Sequence, residues 1–250
     1  MDNFNSQQQF SDFTVVDSGA RAVPKKFMAN VFLWMFAALA ISAFCAYLFA
    51  TTPSLLATLV TETGRGYTLS GLGKILMFAP LGFVLLMSFG YSRLSAPVMT
   101  LLFVAYAAIT GISLSFILLF YTSTSVMGCF ASASAMFGVM AVMGYTTDKD
   151  LTSFGRIMTM GLIGIVIAML INFFLGSEQL DYIISIIGVA VFTGLTAYDV
   201  QKLKRIGEGL SIDGSTIEDT RKLSIFGALT LYLDFINLFL FLLRLFGRRK

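Results

Sequence analysis

Seven long apolar stretches divide the chain, and short polar connections separate them. A membrane-spanning helix needs about 20 mainly apolar residues, because each residue rises about 1.5 Å through a hydrocarbon core of about 30 Å. Backbone groups in lipid must bond within their own segment, and no alternating strand pattern competes, so we predict helices. The predicted ranges are Phe27–Ala50, Lys74–Tyr91, Pro97–Tyr121, Ser125–Tyr145, Phe154–Leu175, Tyr182–Asp199 and Ile225–Phe246.

Composition supports a membrane protein. Of the 250 residues, 57% are apolar and only 12% are charged, whereas a soluble domain averages about 25% charged residues. We therefore predict an all-α membrane protein with one seven-helix transmembrane domain over residues 25–247. Residues 1–24 are rich in Gln, Asp, Ser and Asn and lack the apolar core of a signal peptide, so they are predicted to form a disordered polar tail.

Basic residues cluster at the ends of the apolar stretches, which is a topology signal rather than a nucleic-acid patch. With seven spans, most clusters fall on one side, which we predict to be cytoplasmic together with the N-terminus. These clusters are Arg21 with Lys25 and Lys26, Arg93, Lys149 with Arg156, and Lys202 to Lys222. The terminal residues 248–250 are also basic and fall on the opposite side. Either the last segment is re-entrant or the tail violates the charge rule.

The chain contains no His and two cysteines in separate apolar stretches, Cys45 and Cys129. This excludes metal sites built on His and offers no CxxC motif. It also removes the side chain that usually titrates near neutral pH. Any pH response must therefore come from other groups, above all from carboxylates in an unusual environment.

Two carboxylates lie inside the last two apolar stretches, Asp199 and Asp234. A charge at membrane depth costs about 2.5–3.5 kcal/mol on insertion scales, so such residues usually have a partner or a function. One alternative is that Asp199 merely caps the cytoplasmic end of its helix beside Lys202. Asp234 lies twelve residues beyond Lys222, or about 18 Å along a helix. The depths of the two acids therefore match only if one helix protrudes, tilts or unwinds.

If the two acids meet in a dry interior, they cannot both ionise cheaply, so they share one proton and titrate as a unit. Such a pair is a proton-controlled switch, and a hard cation such as Ca²⁺ could replace the proton because it prefers oxygen ligands. Tyr198 and Tyr232 are candidate hydrogen-bond donors to the carboxylates. Asn237 lies on the same helical face as Asp234. The plainer interpretation of Asn237 is a hydrogen bond between helices.

The stretches Gly194-Leu-Thr-Ala-Tyr-Asp-Val-Gln-Lys-Leu-Lys204 and Leu231-Tyr-Leu-Asp-Phe-Ile-Asn-Leu-Phe239 resemble the Bax inhibitor 1 family, also called the transmembrane Bax inhibitor motif proteins. The resemblance is to a bacterial-type member. It implies six helices wrapped around a central C-terminal seventh helix. It also implies a pH-sensitive calcium leak in which Asp199 and Asp234 form the proton sensor.

One departure from the family concerns the second stretch, Lys74–Tyr91, which has no acidic residue where bacterial relatives can carry one. Arg93, at the end of this stretch, is a candidate latch partner for an aspartate, and a plain surface cation is the equal alternative. Short connections and a compact chain favour a bacterial inner membrane.

Three functions compete at this stage. The first is a non-enzymatic cation leak channel or transporter, with calcium as the transported ion held by Asp199 and Asp234. The second is a non-transporting regulator that binds a membrane protein, such as a protease, through residues 1–24. The third is an intramembrane aspartyl protease, which Tyr198-Asp199 fits but Leu231-Tyr-Leu-Asp234 does not, because those enzymes use Gly-x-Gly-Asp. We favour the first function, with membrane lipid and cations as partners and no organic cofactor or nucleic acid.

Overall fold

The computed structural model describes residues 22–63, 66–210 and 216–249. Seven of its helices are long and apolar enough to cross a membrane, which confirms the predicted seven-helix fold. They are α1 (Ala22–Thr51), α3 (Gly71–Gly90), α4 (Ala96–Phe120), α5 (Ser123–Thr146), α6 (Thr152–Leu175), α7 (Glu178–Leu210) and α8 (Ile217–Phe246). The polar tail and its docking role fall almost wholly outside the described residues and stay predictions.

The connection between the first two spans holds structure that the sequence reading missed. It contains a short helix, α2 (Pro53–Leu59), and an antiparallel hairpin of β1 (Val60–Thr63) and β2 (Gly66–Leu69). Ser70, which follows β2, ties α2 to α3, because its hydroxyl donates to the Thr58 carbonyl at 2.7 Å and accepts from the Gly73 N–H at 3.1 Å. A strand of four residues gives a polar and apolar pattern that is too short to be detected in a sequence dominated by long apolar spans.

Helices α7 and α8 extend well beyond the apolar stretches that predicted them. Helix α7 continues from Asp199 to Leu210, so the interpretation of Asp199 as a helix cap is wrong. Helix α8 begins at Ile217, where the Thr216 hydroxyl accepts from the Asp219 N–H at 3.1 Å. Both extensions carry charged residues, which explains why an apolar pattern alone ended the helices too early.

Helix α8 forms the centre of the bundle. In its most apolar part 72% of residues are buried, against 6% in α6 and 11% in α3. It packs against α1, α4, α5 and α7, while α3 rests on α4 and α6 rests on α7. The central C-terminal helix implied by the family resemblance is thus confirmed.

Glycines set the closest helix contacts. A Cβ atom added at Gly111 of α4 would overlap the backbone of Ser42 in α1, and one at Gly144 of α5 would overlap the carbonyl of Ala197 in α7. Small residues allow membrane helices to approach this closely and to gain packing where lipid supplies no hydrophobic drive. The second contact lies two residues from Asp199, so it also sets the environment of that acid.

The last helix is not re-entrant. Its beginning lies at the connection from α3 to α4, where the Glu218 carboxylate accepts from the Ala96 N–H at 3.4 Å. Beyond its end, the Arg248 carbonyl accepts from the Thr122 N–H at 3.0 Å, at the connection from α4 to α5. Helix α8 therefore runs the full length of α4, and the basic tail lies at the opposite end of the bundle from the start of this helix. We call these the N-terminal and C-terminal ends of the bundle, after the termini they carry.

Candidate functional site

The antiparallel register of α7 and α8 is fixed by two contacts on either side of the acids. Gly188 of α7 faces the ring of Phe241, and Gly227 of α8 faces Leu203. Asp199 lies between the α7 positions of these contacts, and Asp234 lies between the α8 positions. The two acids therefore come level, and the depth mismatch expected from the sequence disappears. The mismatch arose because Lys202 and Lys222 were taken to mark the same membrane interface. In the structure α8 extends further than α7 towards the N-terminal end, so the two lysines do not mark the same depth.

The carboxyl groups of Asp199 and Asp234 lie next to each other, close enough to share a hydrogen bond if one of them carries a proton. Asp234 is only 4% exposed, and Asp199 is half-buried. No N–H or hydroxyl group of the described residues donates to the buried Oδ2 of Asp234. The cation Lys202 lies one turn along α7 from Asp199 and acts on its charge. The pair thus lies on the protein side of two packed helices, with Lys202 near its more exposed member.

This geometry has a direct chemical consequence. A hydrogen bond between two carboxyl groups requires one of them to carry a proton, because a carboxylate is an acceptor only. Burial disfavours the charged form, and two charged neighbours would repel each other at low dielectric. The arrangement therefore suits one proton shared by two groups. It also presents several oxygen atoms that a hard cation could use once the proton leaves.

The side chains expected to support the pair bond elsewhere. The Tyr232 hydroxyl is 2.7 Å from the Ser42 hydroxyl, between α8 and α1. The ring of Tyr198 packs against Gly155 of α6. The Asn237 amide donates to the Leu233 carbonyl of its own helix at 2.8 Å, a bond within one helix rather than the expected bond between helices. Each of these side chains points in a different direction from the neighbouring acid. The spacing of the residues in the sequence did not predict these directions.

Arg93 does not reach the acids. It is exposed in the turn between α3 and α4, where its N–H donates to the Gly90 carbonyl at 2.9 Å. Among the described cations, the one whose charge acts on Asp199 is Lys202. This conformation therefore gives no support to a latch formed by Arg93. A cation at a helix end prefers the interface to the packed interior.

A polar anchor lies just past Asp199, and sequence reasoning missed it. The Gln201 side chain donates to the Lys149 carbonyl at 2.7 Å and accepts from the Leu151 N–H at 2.9 Å. Lys204 donates to the Tyr145 carbonyl at 3.0 Å. These bonds tie α7 to the end of α5 and to the loop between α5 and α6. The available signal was a Gln two residues after the acid, whose amide can donate and accept at once.

The same loop carries an ordinary surface acid. The Thr152 hydroxyl and N–H donate to the Asp150 carboxylate at 2.7 and 3.0 Å, and Arg205 pairs with it at 2.8 Å. Mainly through Thr152, these contacts lower the pKa of Asp150 to about 2. Asp150 thus stays ionised throughout the physiological range. It is a useful contrast to the buried pair two turns away.

As a cation site, the pair is sparse. Among the described residues, no group of three or more His, Cys, Asp or Glu side chains could hold a metal ion together. Ca²⁺ takes about 6–8 oxygen ligands, and two carboxylates supply at most four. The residues present therefore suit a passing cation that keeps part of its water shell better than a resident metal.

The fold and the site define a multi-pass helical membrane protein with a buried carboxyl pair at its central helix. The family described as "Inhibitor of apoptosis-promoting Bax1" matches residues 24–250. The inner membrane protein YbhL of Escherichia coli K12 is 46% identical over 230 residues, which cover 92% of this chain and 94% of that protein. The chain belongs to this Bax inhibitor family, as its sequence motifs indicated.

Two further relatives come from distant bacteria. A Rickettsia prowazekii protein is 48% identical over 181 residues, 72% of this chain and 75% of the relative. A Deinococcus radiodurans protein is 42% identical over 225 residues, 90% of this chain and 91% of the relative. The likeness to the latter and to YbhL extends over nearly the whole chain.

Proposed function

We propose that this protein is a pH-sensitive leak channel or transporter for cations, with calcium as the first candidate, and that Asp199 and Asp234 form its proton sensor. The observation that carries the proposal is the placement of the two carboxyl groups side by side at the interface of α7 and α8. Ionisable groups inside membrane bundles mark ion pathways and proton relays far more often than they serve packing alone. The family resemblance favours calcium.

The proposed switch follows from the charge of the pair. With one proton, the hydrogen bond holds α7 against α8 at this level. Without it, two carboxylates at low dielectric repel each other, which loosens the contact or invites a cation to take the place of the proton. Asp234 is the more deeply buried acid and is therefore the one that holds the proton. Cation flux is then low in acid and rises with pH.

The packing around the pair supports a closed conformation. Contacts of Gly188 with Phe241 and of Gly227 with Leu203 seal the helix interface on both sides of the acids. Neither carboxyl lines the cavity between α1 and α5 or the one between α3, α4 and α8. A protease would need an opening at the acids that is large enough for its substrate. Because the acids lie in a packed interface, the arrangement favours a non-enzymatic role.

We further propose that the protein lies in a bacterial inner membrane with its N-terminus in the cytoplasm. The relative YbhL is named an inner membrane protein. The described cations Lys25, Lys26, Arg93, Lys149 and Lys222 all lie at the N-terminal end of the bundle. Such an excess of basic residues in short connections is typical of the cytoplasmic side.

The experiment that tests the proposal is calcium flux into proteoliposomes as a function of pH. We expect wild-type flux to rise with pH, and Asp199→Asn and Asp234→Asn each to flatten that dependence, because an amide keeps the shape but cannot ionise. Asp150→Asn is the matched control, since Asp150 already stays charged down to about pH 2. Unchanged pH dependence in both Asn variants would remove the sensor, and absence of wild-type flux at every pH would remove the channel.

A further inference from the structure

A second region of the molecule has the features of a ligand site. A cavity of about 890 Å³ lies between α3, α4 and α8, with β1 and β2 at its C-terminal end. Its volume falls within the range of about 300–1,000 Å³ that is usual for small-molecule pockets. Most of its lining is apolar and includes Pro80, Val84, Phe116 and Leu240. It therefore suits an occupant with an apolar body.

The cavity opens towards the bilayer. Met77 and Leu81 of α3 and Phe120 of α4 line it and are also largely exposed. Helix α3 is an outer helix that rests mainly on α4, so the surface beside it faces lipid rather than protein. An occupant can enter sideways from the membrane without crossing the packed core.

The rim of the cavity is basic. Arg244 lines the rim and pairs with Asp181 at 3.3 Å. Two further arginines are fixed near the cavity by their backbones. The Arg248 N–H donates to the Ser125 hydroxyl at 3.0 Å. Arg249 forms a backbone bridge with Tyr121, which lines the cavity. Both terminal arginines are exposed. Among the acidic side chains that the structure describes, which do not include Glu62, none pairs with them.

This basic rim lies at the end of the bundle where the charge rule expects few cations. Cations that are fixed at the headgroup level and bound to no acid attract phosphate groups. We propose that the cavity binds one anionic phospholipid, with its phosphate at Arg248 and Arg249 and an acyl chain between α3, α4 and α8. The site is independent of the carboxyl pair and of any transport activity.

A buried hydroxyl group in the cavity offers a way to tell a bound acyl chain from a polar ligand. Thr110, at the deep end of the cavity, is 6% exposed, and its Oγ1 forms no hydrogen bond of normal geometry with the described residues, although the Tyr106 and Tyr232 hydroxyls lie nearby. A polar ligand that filled the cavity would bond to this hydroxyl. An acyl chain would not, so Thr110→Val separates the two kinds of occupant.

The test is native mass spectrometry of delipidated protein titrated with phosphatidylglycerol or with phosphatidylcholine of the same chain lengths. We expect one phosphatidylglycerol to be retained in preference to phosphatidylcholine. The double variant Arg248→Gln/Arg249→Gln should weaken retention about 25-fold, since each surface cation contributes roughly fivefold. The matched control Lys25→Gln/Lys26→Gln removes the same charge at the opposite end and should leave retention unchanged.

The cavity itself is tested by Val84→Phe, which fills it from the outer helix α3, with size-exclusion chromatography to verify the fold. We expect this variant to lose the bound lipid and Thr110→Val to keep it. The assignment would be overturned by any of three results. These are equal loss of bound lipid in the two charge variants, retention of the lipid by Val84→Phe, and loss of the lipid by Thr110→Val. Displacement of the lipid by inorganic phosphate alone would also overturn it, because a free anion does not use the cavity.

Discussion

Helices α8 and α6 are both long, apolar spans, yet they occupy opposite environments. Most of the apolar part of α8 is buried, and almost none of α6 is. In lipid the apolar character of a helix does not decide whether it lies inside, because the solvent is as apolar as the core. The inner helix is distinguished by what it contacts, namely a glycine of a neighbouring helix and polar partners such as Asp199 and Ser42.

The largest expected contrast comes from the same truncation on the two helices. Leu238 of α8 is 0% exposed and Leu170 of α6 is 60% exposed. Leu238→Ala should destabilise the protein by about 2–5 kcal/mol, because it leaves a cavity among packed helices. Leu170→Ala should change the stability of the protein by no more than about 0.5 kcal/mol, because lipid fills the space. Thermal unfolding in bicelles measures both, and equal losses would contradict the assignment of inside and outside.

A smaller contrast lies within one helix. A Cβ atom at Gly144 of α5 would overlap the Ala197 carbonyl, whereas one at Gly138 would meet nothing within 4 Å. Gly144→Ala should therefore cost about 1–3 kcal/mol through overpacking against α7. Gly138→Ala should stabilise slightly, by about 0.5–1 kcal/mol, since Ala favours the helix. If both variants unfolded at the same temperature, the close approach of α5 and α7 would be wrong.

The smallest effect on stability is expected at the anchor of α7. Gln201→Ala removes two hydrogen bonds to the loop between α5 and α6 and should cost about 1–2 kcal/mol. Because Gln201 lies two residues from Asp199, it should also shift the pH at which calcium flux is half-maximal. Gln179→Ala, at an exposed position of the same helix, is the control. A flux curve that moves equally in both variants would show that the anchor does not position the acid.

The sequence predicted all seven spans because the hydrocarbon thickness sets their length. It missed the hairpin of β1 and β2, whose strands are too short to give a pattern. It also ended α7 at Asp199, because the charged residues that follow break the apolar run while the helix continues to Leu210. Helix ends depend on local hydrogen bonds and tertiary contacts, which apolar length does not report.

For the site, the sequence could select the two acids but not their neighbours. An acid inside an apolar run is conspicuous, and the structure brings the two carboxyl groups together. Which other groups face them depends on helix rotation, so Tyr232 bonds to Ser42 and Arg93 stays in an exposed turn. The polar anchor at Gln201 depends on a loop some 50 residues away in the sequence, a distance over which spacing carries no information.

The central claim is one proton held between Asp199 and Asp234. Infrared difference spectroscopy across a pH titration tests it most directly, since a protonated carboxyl and a carboxylate absorb at different carbonyl frequencies. We predict one protonated carboxyl per molecule at neutral pH in the wild type, lost on raising the pH and absent from Asp234→Asn. A wild-type spectrum without a protonated carboxyl at neutral pH, or a signal that persists in Asp234→Asn, would contradict the claim.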